Sequence, residues 1–297
     1  MTATPTNTPT PGYLTYLGVV GVSSQTATDP NNTGTLTVTI TAHVDAGKSL
    51  ILHFVTTAGT CNPMTFSAVQ TRGGTAIGNP FGYDATYGLS GELRTVTLSS
   101  IGMPNSVEVN DIITITDCLT SNISRGAFAT AWDGITGHTT AGAIPQTAGA
   151  WNSASLDGAC ATNYSPSLVS PRTGMIPATA TNSLRRLTIG TYGMFTSLDS
   201  IGLCGGSTGP TNGVCPANTV LPQFSYPPPT PGGSGGLARA GTLTGTYTSN
   251  RQVDATYTIE TNGAAIQLLN NIFNATTYAN AVRDWTSVGC AYKEWPR

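Results

Sequence analysis

Residues 35–44 read Thr-Leu-Thr-Val-Thr-Ile-Thr-Ala-His-Val, a strict alternation of polar and apolar side chains. Successive side chains leave opposite faces of a pleated backbone, so a period of two marks a strand with one buried face. Leu36, Val38, Ile40, Ala42 and Val44 share the apolar face, and Thr35, Thr37, Thr39, Thr41 and His43 share the other. The stretch 253–260 repeats the pattern, with Val253, Ala255, Tyr257 and Ile259 set against Asp254, Thr256, Thr258 and Glu260. Further strand-like runs cover 13–23, 50–57, 93–99, 111–118, 125–133, 186–195, 241–248 and 264–273, divided by Gly, Pro, Asn and Asp turns. Many short strands punctuated this way predict an all-β fold, an antiparallel β-sandwich of jelly-roll type. Residues 13–273 read as one such domain with two similar halves, because "AGKSLILHFVTT" and "TNSLRRLTIGTYGMF" both pass from a polar turn into a buried strand.

Two flanking segments break the pattern. Residues 1–12 alternate Pro with Thr and Asn, which predicts an extended, polyproline-like arm. In the tail, 274–297, Tyr278, Val282, Trp285, Val288, Tyr292 and Trp295 recur every three or four residues, as on one face of a short amphipathic helix. Gly289 would cost that helix about 1 kcal/mol relative to Ala. The stripe either packs on the chain's own body or docks on a partner subunit; Tyr278, Val282, Trp285, Tyr292 and Trp295 are the candidate docking residues. Residues 225–241 combine a stiff Pro run with a flexible Gly/Ser run.

One motif invites a catalytic reading. "AHVDAGKS", 42–49, satisfies a relaxed phosphate-loop pattern. A phosphate loop needs a buried strand, a Gly-rich turn and then a helix whose first amides face the phosphate. Here Ala42 lies inside the alternation, and "LILHFVTTAG" after Ser49 is dense in β-formers. The expectation is a tight turn between strands, with Gly47 at positive φ and no bound nucleotide. His43, His53 and His138 stand in no nucleophile-elbow or zinc-helix context, and no calcium loop occurs. No catalytic residue, cofactor or metal ligand is assigned.

Composition narrows the partners. Charged residues are 9% of the chain, against about 25% in ordinary soluble domains, and the net charge is -2. That excludes a basic nucleic-acid face, and no apolar run reaches the ~20 residues of a membrane helix. The first twelve residues lack the features of a secretory signal, yet the Thr/Ser/Asn-rich surface suits an exterior. A protein made in a cytoplasm and built for the outside fits a virion component. Among the six cysteines no C-x-x-C pair occurs. Cys204 and Cys215 bracket a Gly-rich loop where a disulfide would contribute roughly 3 kcal/mol; free thiols are the alternative in a reducing cytosol. Tyr83, Tyr87, Trp151 and Tyr164 lie in loop-like sequence and are candidates to stack on a sugar ring, the alternative being that they cap the core.

"TYLGVVGVSSQ…GTLTVTITAHVDAGKSLILHFVTTAG" and "LRTVTLSSIG…DIITITDC…GAFATAWDGITG" resemble the strand pattern of bacteriophage minor tail proteins and related bacterial surface domains. The resemblance, over 13–273, implies a virion β-sandwich with structural or host-attachment work and transfers no functional residues. The expected function is a non-enzymatic structural protein of a tailed-phage virion, assembled in the host cytoplasm. Other virion proteins, further copies of the chain and a host-surface glycan are its expected partners. The alternatives are a capsid decoration protein and a secreted carbohydrate-binding or carbohydrate-active bacterial protein.

Overall fold

A computed structural model describes residues 14–23, 34–57, 65–88, 93–118, 125–135, 151–152, 160–166, 186–196, 201–205, 233–244, 250–260, 270–274 and 284–293. Every regular element among them is a β-strand, and every strand pairing is antiparallel. The first nine are β1 (Thr15–Ser23), β2 (Thr35–Ile40), β3 (Ser49–Thr57), β4 (Phe66–Arg72), β5 (Thr75–Ala76), β6 (Gly82–Gly88), β7 (Leu93–Ser100), β8 (Ile112–Asp117) and β9 (Arg125–Asp133). They form one sheet in the order β5-β4-β8-β2-β1-β9-β3-β7-β6.

The alternation in β2 does what the pattern predicts: Leu36, Val38 and Ile40 are buried, while Thr37 and Thr39 are exposed. Their apolar face joins Val20 of β1, Leu50, Leu52 and Phe54 of β3, Val96 and Leu98 of β7, Ile113 and Ile115 of β8, and Ala127, Ala129 and Ala131 of β9. One cluster drawing on strands from across the sheet requires that the sheet curl around it. Gly21 marks the tightest approach, because a Cβ there would lie 2.9 Å from Ile40 Cδ1 and 3.1 Å from the Thr39 carbonyl oxygen.

β3 and β9 do not alternate, because they are buried on both faces. Their second face, Ile51, Val55, Phe128 and Trp132, packs on another sheet. That sheet comprises β10 (Trp151–Asn152), β11 (Cys160–Pro166), β12 (Arg186–Thr196), β14 (Gly233–Thr244), β15 (Asn250–Glu260) and β17 (Asp284–Lys293), in the order β10-β11-β17-β12-β15-β14. β13 (Ile201–Gly205) pairs with β16 (Asn270–Asn274). Leu187 and Ile189 of β12, Val253, Ala255 and Tyr257 of β15, and Val288, Cys290 and Tyr292 of β17 supply the facing surface. Trp132 is its centre, with Tyr16 and Tyr257 rings each 4.9 Å from the indole. Burying side chains of this size stabilises by about 1.5–3 kcal/mol each.

The structure corrects two expectations and adds one strand. The C-terminal helix is replaced over 284–293 by β17, a strand inside the second sheet between β11 and β12. Val288, Cys290 and Tyr292 also fit a period of two, and full ladders on both sides outweigh the helical spacing. The Gly/Ser run expected to be flexible begins β14, whose pairing with β15 is irregular at Ser234/Leu237 and Arg239/Thr242. Residues 66–72, unassigned by periodicity, form β4, with Ala68 and Gln70 turned inward. The arm over 1–12 lies outside the described residues.

Candidate functional site

The phosphate-loop-like stretch forms a turn between strands. Asp45 to Lys48 is a four-residue turn in which the Lys48 amide donates to the Asp45 carbonyl at 3.4 Å and Gly47 takes φ 84°. Positive φ at the third position is what a type II turn demands, hence glycine. The Gly47 amide donates to the Met103 carbonyl at 2.7 Å, and Ser49 opens β3. The Lys48 amine pairs with the Asp133 carboxylate at the end of β9. The Gly47 and Lys48 amides and the Lys48 ammonium are thus engaged within the fold.

Beside this turn lies a charged cluster that the sequence reading did not assemble. Paired backbone bonds between Val44 and Val107 dock residues 41–48 on residues 101–111. This brings His43 between two carboxylates, with Nδ1 2.7 Å from Glu108 Oε2 and Nε2 2.9 Å from Asp45 Oδ1. Bonds to Asp45 and then to Glu108 raise the imidazole above its ordinary range. Bonds from Ser106 and then His43 hold Glu108 below its ordinary range. Placing both ring nitrogens on carboxylates favours the protonated imidazole as a bridge between the two loops. The His-x-Asp spacing at 43–45 was visible in sequence; Glu108 was not, because it arrives through the Val44–Val107 bridge.

Next to the bridge, Asp111 accepts from Gln70 Nε2 at 2.7 Å, Arg72 Nε at 2.8 Å, Arg72 Nη2 at 2.9 Å and the Glu108 amide at 2.9 Å. Burial pushes its pKa up, but the bonds from Arg72, the Glu108 amide and Gln70 together hold it below the ordinary range. Asn79 extends the network, donating to Gln70 Oε1 at 2.7 Å and to the Asn105 carbonyl at 3.0 Å. These groups tie the ends of β4 and β8 together. Among the described residues no group of three His, Cys, Asp or Glu side chains is arranged to hold a metal.

The third polar cluster is buried between the sheets. His53 is fully buried, with Nδ1 2.6 Å from Thr191 Oγ1 and Nε2 3.0 Å from Thr130 Oγ1. Its ring stacks on Phe128 at 4.6 Å. Burial lowers its pKa to about 3, so the ring is neutral near neutrality.

The structure separates the residues singled out from sequence. Tyr83 and Tyr87 lie in strand β6, not a loop, opposite Leu98 and Thr95 respectively. A bulge between Tyr83 and Ala85 puts their two positions on opposite faces of the sheet. Trp151 lies in β10 opposite Ala161, and Tyr164 in β11 opposite Thr286. β6 is an edge strand of the first sheet and β10 an edge strand of the second, and β6 contacts β11 as well as β17. Tyr292 is buried in the intersheet core, and Trp285 lies in β17. Tyr278, Val282 and Trp295 fall outside the described residues. Cys204 lies in β13, and Cys215 is outside the described residues. Cys118 and Cys290 each belong to a disulfide, and the residue opposite Cys290 across the β11–β17 ladder is Cys160.

Comparison with known proteins returns no match among family models, curated proteins or solved structures.

Proposed function

We propose that this chain is a non-enzymatic structural protein of a tailed-phage virion, a minor tail or tail-tip protein that contributes to assembly or to glycan attachment at the host surface. The finer architecture in this reading is an antiparallel sandwich of jelly-roll type that assembles with further copies of itself. One observation carries the reading: the described ionisable side chains at the two loop clusters, between β8 and β9 and at the sheet interface are spent on holding strands and turns together. A chain with 9% charged residues that uses them this way is built for a durable surface, not for proton transfer. Disulfide-bonded Cys118 and Cys290 suit an oxidising exterior. Multiple copies would turn weak sugar contacts into firm attachment.

Immunogold labelling of purified particles, with copy number measured by mass spectrometry, tests it. The expected result is label at the tail tip at a handful of copies. Hundreds of copies over the head would transfer the chain to capsid decoration, and its absence from particles would overturn the reading. Within the attachment role, Trp151→Ala is expected to weaken binding of particles to host cells; unchanged binding removes Trp151 as a sugar platform.

A further inference from the structure

His53 on β3, Thr130 and Trp132 on β9, Thr97 on β7 and Thr191 on β12 form one buried polar chain across the interface between the sheets. Donor and acceptor roles along it can be assigned. The Trp132 indole can only donate, and does so to Thr130 Oγ1 at 2.9 Å. The Thr130 proton is directed at the Ile51 carbonyl 3.4 Å away, so the hydroxyl receives His53 through Nε2–H. Thr97 donates to Thr191 at 3.2 Å, which leaves the Thr191 proton for His53 Nδ1. Every group is then satisfied, with the imidazole neutral and protonated on Nε2.

A second proton on the ring would sit on Nδ1 and face the Thr191 hydroxyl proton. Thr191 would have to rotate, accept from both His53 and Thr97, and leave its own proton without a partner. The charge would also be enclosed by apolar groups. In the row facing His53, Thr191 stands between Ala255 and Val288, and the next buried row is Tyr257, Ile189 and Cys290. On its own sheet the ring meets Phe128, Thr97 and Thr130. Among the described residues, the other ionisable groups of this core are Tyr16, Tyr257 and Tyr292, and Cys290 is disulfide-bonded. None of them carries a charge in acid that could balance an imidazolium. The strand ladders of each sheet do not pass through His53's side chain, so they have no stake in its protonation.

We propose that His53 and Thr191 form an acid-sensitive latch: protonating His53 parts the β12-bearing sheet from the β3-bearing sheet while each keeps its own strands. Opening exposes the surface around Trp132, Phe128, Tyr16 and Tyr257, which gives the fold an acid-triggered apolar face. The latch does not depend on the virion assignment, since it concerns the isolated chain.

The test is an acid titration of the purified full chain from pH 7 to pH 2.5. Binding of an apolar fluorescent dye reports the exposed interface, far-ultraviolet circular dichroism reports the strands, and NMR of ring-labelled histidine reports protonation. Wild type is expected to bind dye as one histidine protonates, with strand signal retained. His53→Gln keeps an acceptor and a donor without a titrating ring, and its dye transition is expected at least one pH unit lower or absent down to pH 2.5. A midpoint unchanged in His53→Gln, or strand signal lost together with dye binding in wild type, overturns the latch. If His53→Gln fails to fold, the wild-type titration decides: dye binding that does not track a histidine overturns the latch, and coincidence supports it.

Discussion

β8 and β9 are not neighbours in the first sheet, since β2 and β1 lie between them, yet Asp117 at the end of β8 meets Arg125 at the start of β9. The contact is two-pronged, with Arg125 Nε donating to Oδ2 at 2.9 Å and Nη2 to Oδ1 at 3.0 Å. The side chains are 1% and 0% exposed, so neither charge has water to fall back on. Asp117 shares its inward face with Ile113 and Ile115, and Arg125 shares its own with Ala127 and Ala129, so the pair closes the curl at this end. Breaking a buried, two-pronged pair by removing one partner costs about 3–5 kcal/mol, whereas an exposed pair is worth about 0–1 kcal/mol. Asp117→Asn and Arg125→Met are therefore each expected to lower unfolding free energy by about 3–5 kcal/mol. The double replacement should cost less than the sum by roughly 1–3 kcal/mol, because the two side chains are in direct contact and their losses overlap. Urea unfolding at pH 7, followed by circular dichroism, measures all three. Single losses below about 1 kcal/mol, or additive losses, would mean that water reaches the pair and that the sheet does not close there.

Other outcomes follow from local geometry. Gly21→Ala should destabilise by about 1–3 kcal/mol in the same assay, because the new methyl meets the Thr39 carbonyl oxygen, which cannot move aside cheaply. Gly47→Ala meets no atom within 4 Å, so its cost should be only that of φ 84°, about 1–2 kcal/mol, and Gly47→Asn should cost less. For His43, a folded pKa above the unfolded value means that its contribution is complete below the unfolded pKa and lost as pH rises through the raised value. NMR titration should show that value falling in both Asp45→Asn and Glu108→Gln, further in the former; no change in either would refute the carboxylate bridge.

Legibility in the sequence tracked how many faces of a strand meet water. β2 was readable because Thr37 and Thr39 stay exposed while Leu36, Val38 and Ile40 do not. β9 was readable to its ends, Arg125 and Asp133, from its turns and β-formers, but its lack of alternation hid which face met which sheet. β17 was misread because Trp285, Val288 and Tyr292 fit a helical spacing, while Val288, Cys290 and Tyr292 fit a strand; only β11 and β12 on either side decided between them. The tyrosines of β6 looked like loop residues because Gly82 and Gly88 flank them, and the bulge that splits their faces has no sequence mark.

By itself, the amino-acid order determined the all-β class, the polar and apolar faces of the alternating strands, and the turn at Gly47. Those properties are settled within a few residues by pleat geometry and glycine's tolerance of positive φ. Tertiary structure alone decided that β8 reaches β9, that Glu108 meets His43, and that Thr191 meets His53 across 138 positions of chain. Such contacts depend on which sheet faces close on one another, and that choice is made by burial summed over whole strands, not by any short stretch.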